Sequence, residues 1–530
     1  MKNLLAPYSG PWDARAASHL LRRTILGPTF SEIKSAVDDG LQKTVARLLD
    51  VQAPPPPPLL HRPETEPDVK VGETWVDRPH PSGGGAYRGQ SLDGWFYGWL
   101  TDAPFSLQSQ MVFFWLNHFG MDGVRDGRSM YRFIKMLQSD YLGNVKKMIK
   151  VVTIEPAMLE FLDGEENSKR SPNENYGREL LELFTIQKGK QRSEGDYSTY
   201  TEQDVIEIAR ALTGWTNEKF EFADDDTPVA SYFDPVLHDT DDKQLSRHFD
   251  NAVISSKGSG KNEYSEIIDI IFSKRETSRA FCRQIYRFFV HSDISKNIEK
   301  NVIEPLTDTL IASNFELSPV IERLLSSSHF YHHSVSGVKI KNPNEFIVGM
   351  LRSFEWPRHV SFESLQQEYT ASVKQANFCS DMEMDFNGIP EVAGWAAYYQ
   401  APTYYRLWIS PASLKFRQDA MLQIINPYYH ISQHRTPINW RNYLETLTDA
   451  SILDDVISDA SIQFLSRKLT SSQVAELKDV ILGEGTDDDV WTMEYDQYVQ
   501  DDDSSMATSF EQRLYDFFRA MFGMLEFQLH

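Results

Sequence analysis

Residues 171–189, SPNENYGRELLELFTIQKG, hold the densest set of side chains able to do chemistry. Asn173, Glu174, Asn175, Arg178, Glu179 and Glu182 crowd into one stretch that otherwise reads as a buried helix. A spacing of four links Glu174 to Arg178 and Arg178 to Glu182, so one stripe of a helix can carry an acid–base–acid ladder. Glu179 and Glu182, at i and i+3, can present two carboxylates together. Glu174, Arg178 and Glu179 are therefore the candidate catalytic groups of a carboxylate-dependent enzyme. The competing reading is a polar structural hub, in which these charges satisfy one another and cap nearby backbone.

Other nucleophile and phosphate motifs are absent. There is no GxSxG elbow and no HExxH pair. KGSGKN (257–262) lacks the first glycine of a phosphate loop and the Ser or Thr after its lysine. Cys282 sits in the apolar run AFCRQIYRFFV, which reads as core packing, and Cys379 has no local partner. The aromatic set Trp395, Tyr398, Tyr399, Tyr404, Tyr405 and Trp408 offers a platform for a sugar or peptide, or a plug for a core against irregular backbone.

The elements that must position these groups are helical. In the hub, Ser171 reads as an N-cap and Pro172 as the first helical residue, with Leu180, Leu183 and Phe184 on the apolar face. Thr201 and Asp204 form a box-like cap before Val205, Ile208, Ala209 and Leu212. Asp13 to Asp50 reads as two helices broken at Gly27-Pro28-Thr29, the second capped near Ser31. Residues 53–90, with PPPPP and SGGGAYRG, read as a linker or surface excursion, and residues 216–262 as an irregular insertion with two short strands. Helices return from Glu263 and again from Ala412, broken by an acidic loop at 484–504. The expectation is a mainly α protein. A large multi-helix body (13–430) carries the irregular insertion, and a C-terminal helical extension (431–530) carries the acidic loop. No internal repeat or alternating strand–helix pattern appears.

The chain has 530 residues, 41% of them hydrophobic, enough for a substantial core, and a net charge of −23. The acidic balance argues against nucleic-acid binding, which needs Lys and Arg against phosphate. Runs at Asp224–Asp226, Asp487–Asp489 and Asp501–Asp503 read as solvated loops. No stretch is long and apolar enough for a membrane span, and MKNLLAPYSGP lacks the apolar core of a secretory signal. The chain as given reads as soluble and cytoplasmic; the alternative is an exported mature form whose signal has been removed.

The hub segment PNENYGRELLELFTIQKG and the downstream segment YTEQDVIEIARALTGW resemble the paired signature of the bacterial "domain of unknown function 1800" family. SHLLRRTILGPT (18–29), FWLNHFGMD (114–122), LHDTDDKQL (237–245), FCRQIYRFFV (281–290), IKNPNEFIVGMLR (340–352) and GWAAYYQAPTYYRLWISPASLKFR (394–417) are similar to its other segments, in order. The His-Asp loop departs at Asp241 and Asp242, where members commonly carry glycine. The resemblance implies a largely helical fold and a bacterial origin. It also implies export signals in many members and a sulfatase-like companion as partner. It assigns no chemistry.

Within these family-like segments, His118, Glu179, Glu182, His238 and Asp239 make a candidate metal-ligand set. Mixed imidazole and carboxylate donors suit a divalent transition metal such as iron, manganese or zinc. The functional expectation is a metal- or carboxylate-dependent enzyme of unknown reaction, centred on residues 171–182. The alternative is a non-catalytic helical scaffold that docks a partner protein.

Overall fold

The computed structural model describes residues 3–62, 66, 68–79, 85–217, 229–255, 258–356, 364–426, 430–431, 434–435, 438–500 and 504–530. The acidic runs Asp224–Asp226 and Asp501–Asp503 lie outside them. The chain is mainly α, as expected. The strands that are described form two-stranded antiparallel ladders such as Trp215–Asn217 with Ser231–Phe233 and Lys243–Gln244 with Val253–Ile254. Both of these ladders lie in the expected irregular insertion.

Local chemistry explains where helices begin. Thr201 and Asp204 cap the Glu202–Ala211 helix reciprocally, as their spacing predicts. Two expected caps shift by two residues. Thr29, not Ser31, caps the Phe30–Leu48 helix, because Glu32 three residues on completes its capping box. Asn173, not Ser171, caps the Glu174–Glu182 helix: its side chain accepts from the Tyr176 amide, and its own amide donates to Asn167.

One hydrophobic core runs from Leu5 to Phe527. The C-terminal helices belong to it. Phe354 packs against Trp440, Tyr443, Phe464 and Phe518, with ring centres 5.0–5.4 Å apart. The turn after the first helix crosses the Pro343–Ser353 helix at backbone distance. A Cβ on Gly27, which has φ +67°, would lie 1.9 Å from the Gly349 carbonyl oxygen.

The described part of segment 53–90 packs against the body. The Pro56 carbonyl accepts from Trp95 Nε1 at 2.7 Å, Trp75 is fully buried, and Arg88 forms a buried two-pronged pair with Glu66 at 2.6 and 2.9 Å. Proline-rich chain serves here as extended backbone laid along the helices rather than as a free tether.

Candidate functional site

The Glu174–Glu182 helix is held by its backbone approach to the Glu202–Ala211 helix. A Cβ on Gly177 would lie 2.8 Å from the Val205 carbonyl oxygen and 3.1 Å from the Ala209 nitrogen. Tyr176 anchors the buried side, donating to the Thr153 carbonyl at 2.6 Å. The expected ladder does not form. Arg178 turns to the facing helix and grips both oxygens of Glu202 at 2.8 and 2.6 Å, each partner about one-third exposed. Glu174 is exposed in the first turn, and Glu182 is engaged by the Tyr200 hydroxyl at 2.9 Å and by Lys188 at 3.1 Å. A neighbouring helix outcompetes i,i+4 partners because it offers a bidentate fork for the guanidinium. Glu179 is half-buried; burial and then the Glu182 charge push its pKa up.

The candidate metal ligands fall in two places. His118 lies on the Gln108–Phe119 helix, stacked on Phe114 and edge-on to Trp115 and Phe119. Its Nε2 donates to the Phe184 carbonyl at 3.1 Å. A carbonyl only accepts, so Nε2 carries the ring proton and Nδ1 the lone pair. Burial pulls its pKa down to about 4, so the ring is neutral at physiological pH. His238 is fully buried elsewhere, its Nδ1 2.8 Å from the Thr213 carbonyl and its Nε2 3.2 Å from Glu263, which also pairs with Lys243 at 2.7 Å. Asp239 is gripped by Arg210 at 2.8 and 3.2 Å. His238 and Asp239 thus brace the insertion through partners of their own. Among the described residues, no group of three or more His, Cys, Asp or Glu side chains is arranged to hold a metal ion.

His118 and Glu182 do share a cleft of about 210 Å³, walled also by Asn117, Gln284, Arg287 and Tyr398. The Arg275–Phe289 helix supplies its charge. Arg279, Arg283 and Arg287 recur every four residues on one side of that helix. Arg283 holds Glu299 at 2.5 Å and Glu276 at 2.6 Å; Arg279 holds Glu276, and Glu304 at 2.7 Å. Arg287 differs. It makes no hydrogen bond or ion pair among the described residues, and its Nε is buried and unpartnered. The Tyr404 ring lies 5.6 Å from its guanidinium carbon. Burial lowers its pKa from the ordinary arginine range. Tyr398 adds a second donor. Its hydroxyl accepts from Asn342 at 2.9 Å, leaving its own proton free, and burial holds its pKa far above the ordinary range.

Two larger clefts adjoin this one. Past Gln187 lies a space of about 420 Å³ bordered by Lys188, His248, Lys274 and Arg283. Past Tyr399 lies one of about 530 Å³ bordered by Glu383, Asp385, Glu391, Trp395 and Trp408. The aromatic segment therefore plugs and lines at once: Trp395, Tyr405 and Trp408 are buried, while Tyr399 is exposed. Behind Asp385, burial and then that neighbour's charge push the Asp93 carboxyl up to about 7.

Sequence reasoning found His118 and Glu182 but missed Gln284, Arg287 and Tyr398 as a set. The four-residue arginine repeat was the available signal.

A family model described as "Protein of unknown function (DUF1800)" matches residues 19–528. The chain belongs to this family. The match covers nearly the whole chain, including the hub, the arginine helix and the aromatic segment. No curated protein and no solved structure matches it. Among the described residues of this DUF1800 protein, no helix is long and apolar enough to cross a membrane.

Proposed function

We propose that this DUF1800 protein binds a small organic acid in the cleft between the Gln108–Phe119 and Arg275–Phe289 helices, and acts on it by proton transfer. The observation that carries this reading is Arg287, a half-buried guanidinium that lines the cleft and, among the described residues, makes no ion pair or hydrogen bond, Glu299 acting on it only from a distance. An arginine in that setting is a receptor for a carboxylate, which it can hold through two parallel hydrogen bonds. The free Tyr398 hydroxyl proton supports the same ligand. His118, neutral and with its lone pair on Nδ1, and Glu182, paired with Lys188, are the proton-accepting groups on the same walls. The cleft is smaller than the roughly 300–1,000 Å³ of drug-sized sites. It suits a short acid, or the acidic end of a longer ligand that continues past Gln187 or Tyr399.

The candidate residues divide accordingly. Glu182 and His118 stay in the proposed chemistry, while Arg178 ties the hub helix to Glu202 and Glu174 faces solvent. A divalent metal in this cleft would find two protein donors, His118 and Glu182. Metal analysis of freshly purified protein separates a metal-dependent form of the reading from a metal-free one.

The test is a thermal-shift series with acetate, succinate and citrate at constant ionic strength, on wild type and Arg287→Met. At least one acid should raise the wild-type Tm saturably, since a ligand at 100 times its Kd adds about 2.7 kcal/mol of stability. Arg287→Met should lose that response. An unchanged response in the variant removes the anchor, and no response in wild type favours the scaffold reading.

A further inference from the structure

The space of about 530 Å³ past Tyr399 is opposite in charge to Arg287. The carboxylates of Glu383, Asp385 and Glu391 border it, and no Lys, Arg or His does. Among the described residues, none of the three carboxylates makes an ion pair. Their hydrogen bonds come from neutral donors. Asp385 accepts from the Asn387 amide at 2.9 Å, and Glu391 accepts from the Tyr399 hydroxyl. Such donors satisfy lone pairs but leave the charge in place. The charge of Asp385 reaches the neighbouring Asp93 carboxyl, where it adds to burial in raising the pKa.

Trp395, Tyr399 and Trp408 supply aromatic wall to the same space. Aromatic faces attract organic cations, and do so more strongly where water is displaced. Rings and unpaired carboxylates around one concavity are the surroundings that suit an organic ammonium. Among the described residues, the carboxylates are not grouped to hold a metal ion.

The partition between the two spaces is thin. Tyr399 borders both. Tyr398, on the wall of the Arg287 cleft, lies edge-on to Trp408, on the wall of the acidic one, with ring centres 5.9 Å apart. The short helix Tyr404–Trp408 also touches both, with the Tyr404 ring at the Arg287 guanidinium and Trp408 beside the carboxylates. What sets these carboxylates apart from the acidic loops of the chain is this unpaired guanidinium on the other side of the partition.

We propose that the ligand is a short zwitterion, an acid whose chain ends in an organic ammonium. Its carboxylate sits at Arg287 and its ammonium among Glu383, Asp385, Glu391 and the aromatic wall. This inference rests on the reading of Arg287 as a carboxylate anchor and adds the other end of the ligand.

The test is isothermal titration calorimetry on the full chain at neutral pH and constant ionic strength. The probes are β-alanine, γ-aminobutyrate, δ-aminovalerate and ε-aminocaproate, each beside its plain acid, propionate, butyrate, valerate or caproate. An amino acid of matching length should bind about tenfold more tightly than its plain partner, a gain in the range of cation–π contacts. Asp385→Asn and Glu383→Gln should each reduce that gain and leave the affinity for the plain acid unchanged, whereas Arg287→Met should abolish binding of both. Glu383 is exposed, so its variant decides the matter should Asp385→Asn fail to fold. Plain acids that bind as tightly as their amino partners at every length overturn this proposal and leave the Arg287 anchor standing. A gain that persists in full in the carboxylate variants overturns it as well. Failure of every probe to bind wild type removes the anchor and this inference together.

Discussion

Two adjacent residues on the hub helix should respond to substitution in opposite proportion to their chemical prominence. Arg178 looks indispensable, yet its pair with Glu202 is about one-third exposed on both sides. Exposed pairs of this kind contribute about 0–1 kcal/mol. Gly177 looks inert, yet a Cβ there meets backbone at 2.8 and 3.1 Å, and backbone cannot rotate away as a side chain can. Overpacking of this sort costs about 1–3 kcal/mol and occasionally more. Valine brings two further carbons and gains little helix propensity over glycine, so Gly177→Val belongs at the upper end, about 3 kcal/mol. Urea unfolding at pH 7 checks this through the midpoints of Gly177→Val, Arg178→Ala and wild type, at low and high salt. Gly177→Val should shift the midpoint several times further than Arg178→Ala, and the small Arg178 effect should shrink with salt. A loss of about 3 kcal/mol or more in Arg178→Ala, the range for breaking a buried charge network, would show that the arginine sits in one after all and refute the reasoning.

Buried titrating groups lead to further expected outcomes. Asp93 is raised to about 7, from an ordinary 3.8, by burial and by Asp385. Between about pH 4 and 7 the folded protein keeps a proton that the unfolded chain has lost, so this group makes stability fall as pH rises through that window and level off above it. Asp93→Asn should flatten the Tm–pH profile there; an unaltered slope contradicts the assignment. Burial pushes the Cys282 thiol up to about 12 and raises Cys379 also, so neither should react with a thiol reagent in the native state. Both should react after denaturation, and rapid labelling of folded protein would show that a thiol is reachable.

What the sequence displayed was mostly local. The Thr201–Asp204 cap and the helical class depend on spacing within a few residues, which a chain shows directly; the insertion region holds four described strands in two ladders where two strands were expected, because strands of two or three residues carry no periodic signal. The Arg178 ladder failed because spacing reports candidate partners on the same helix and nothing of the helix packed across from it. Asn173 replaced Ser171 as cap because its amide also meets Asn167, a contact that depends on the preceding turn. Arg287 was invisible for a related reason. Its significance is the lack of an ion pair among the described residues, and only the packed structure shows that Arg279 and Arg283 take the carboxylates of Glu276, Glu299 and Glu304. His238 and Asp239 read as ligands by residue type, but the fold gives each a partner, Glu263 and Arg210.

The central claim is that Arg287 anchors an organic acid beside His118 and Glu182. Its most direct test is a crystal structure of the protein grown with whichever of acetate, succinate or citrate gives the largest thermal shift. Carboxylate density is expected within hydrogen-bond distance of the Arg287 guanidinium, with Tyr398 as second donor. Acid bound elsewhere, with the Arg287 side chain paired to a protein carboxylate, would contradict it.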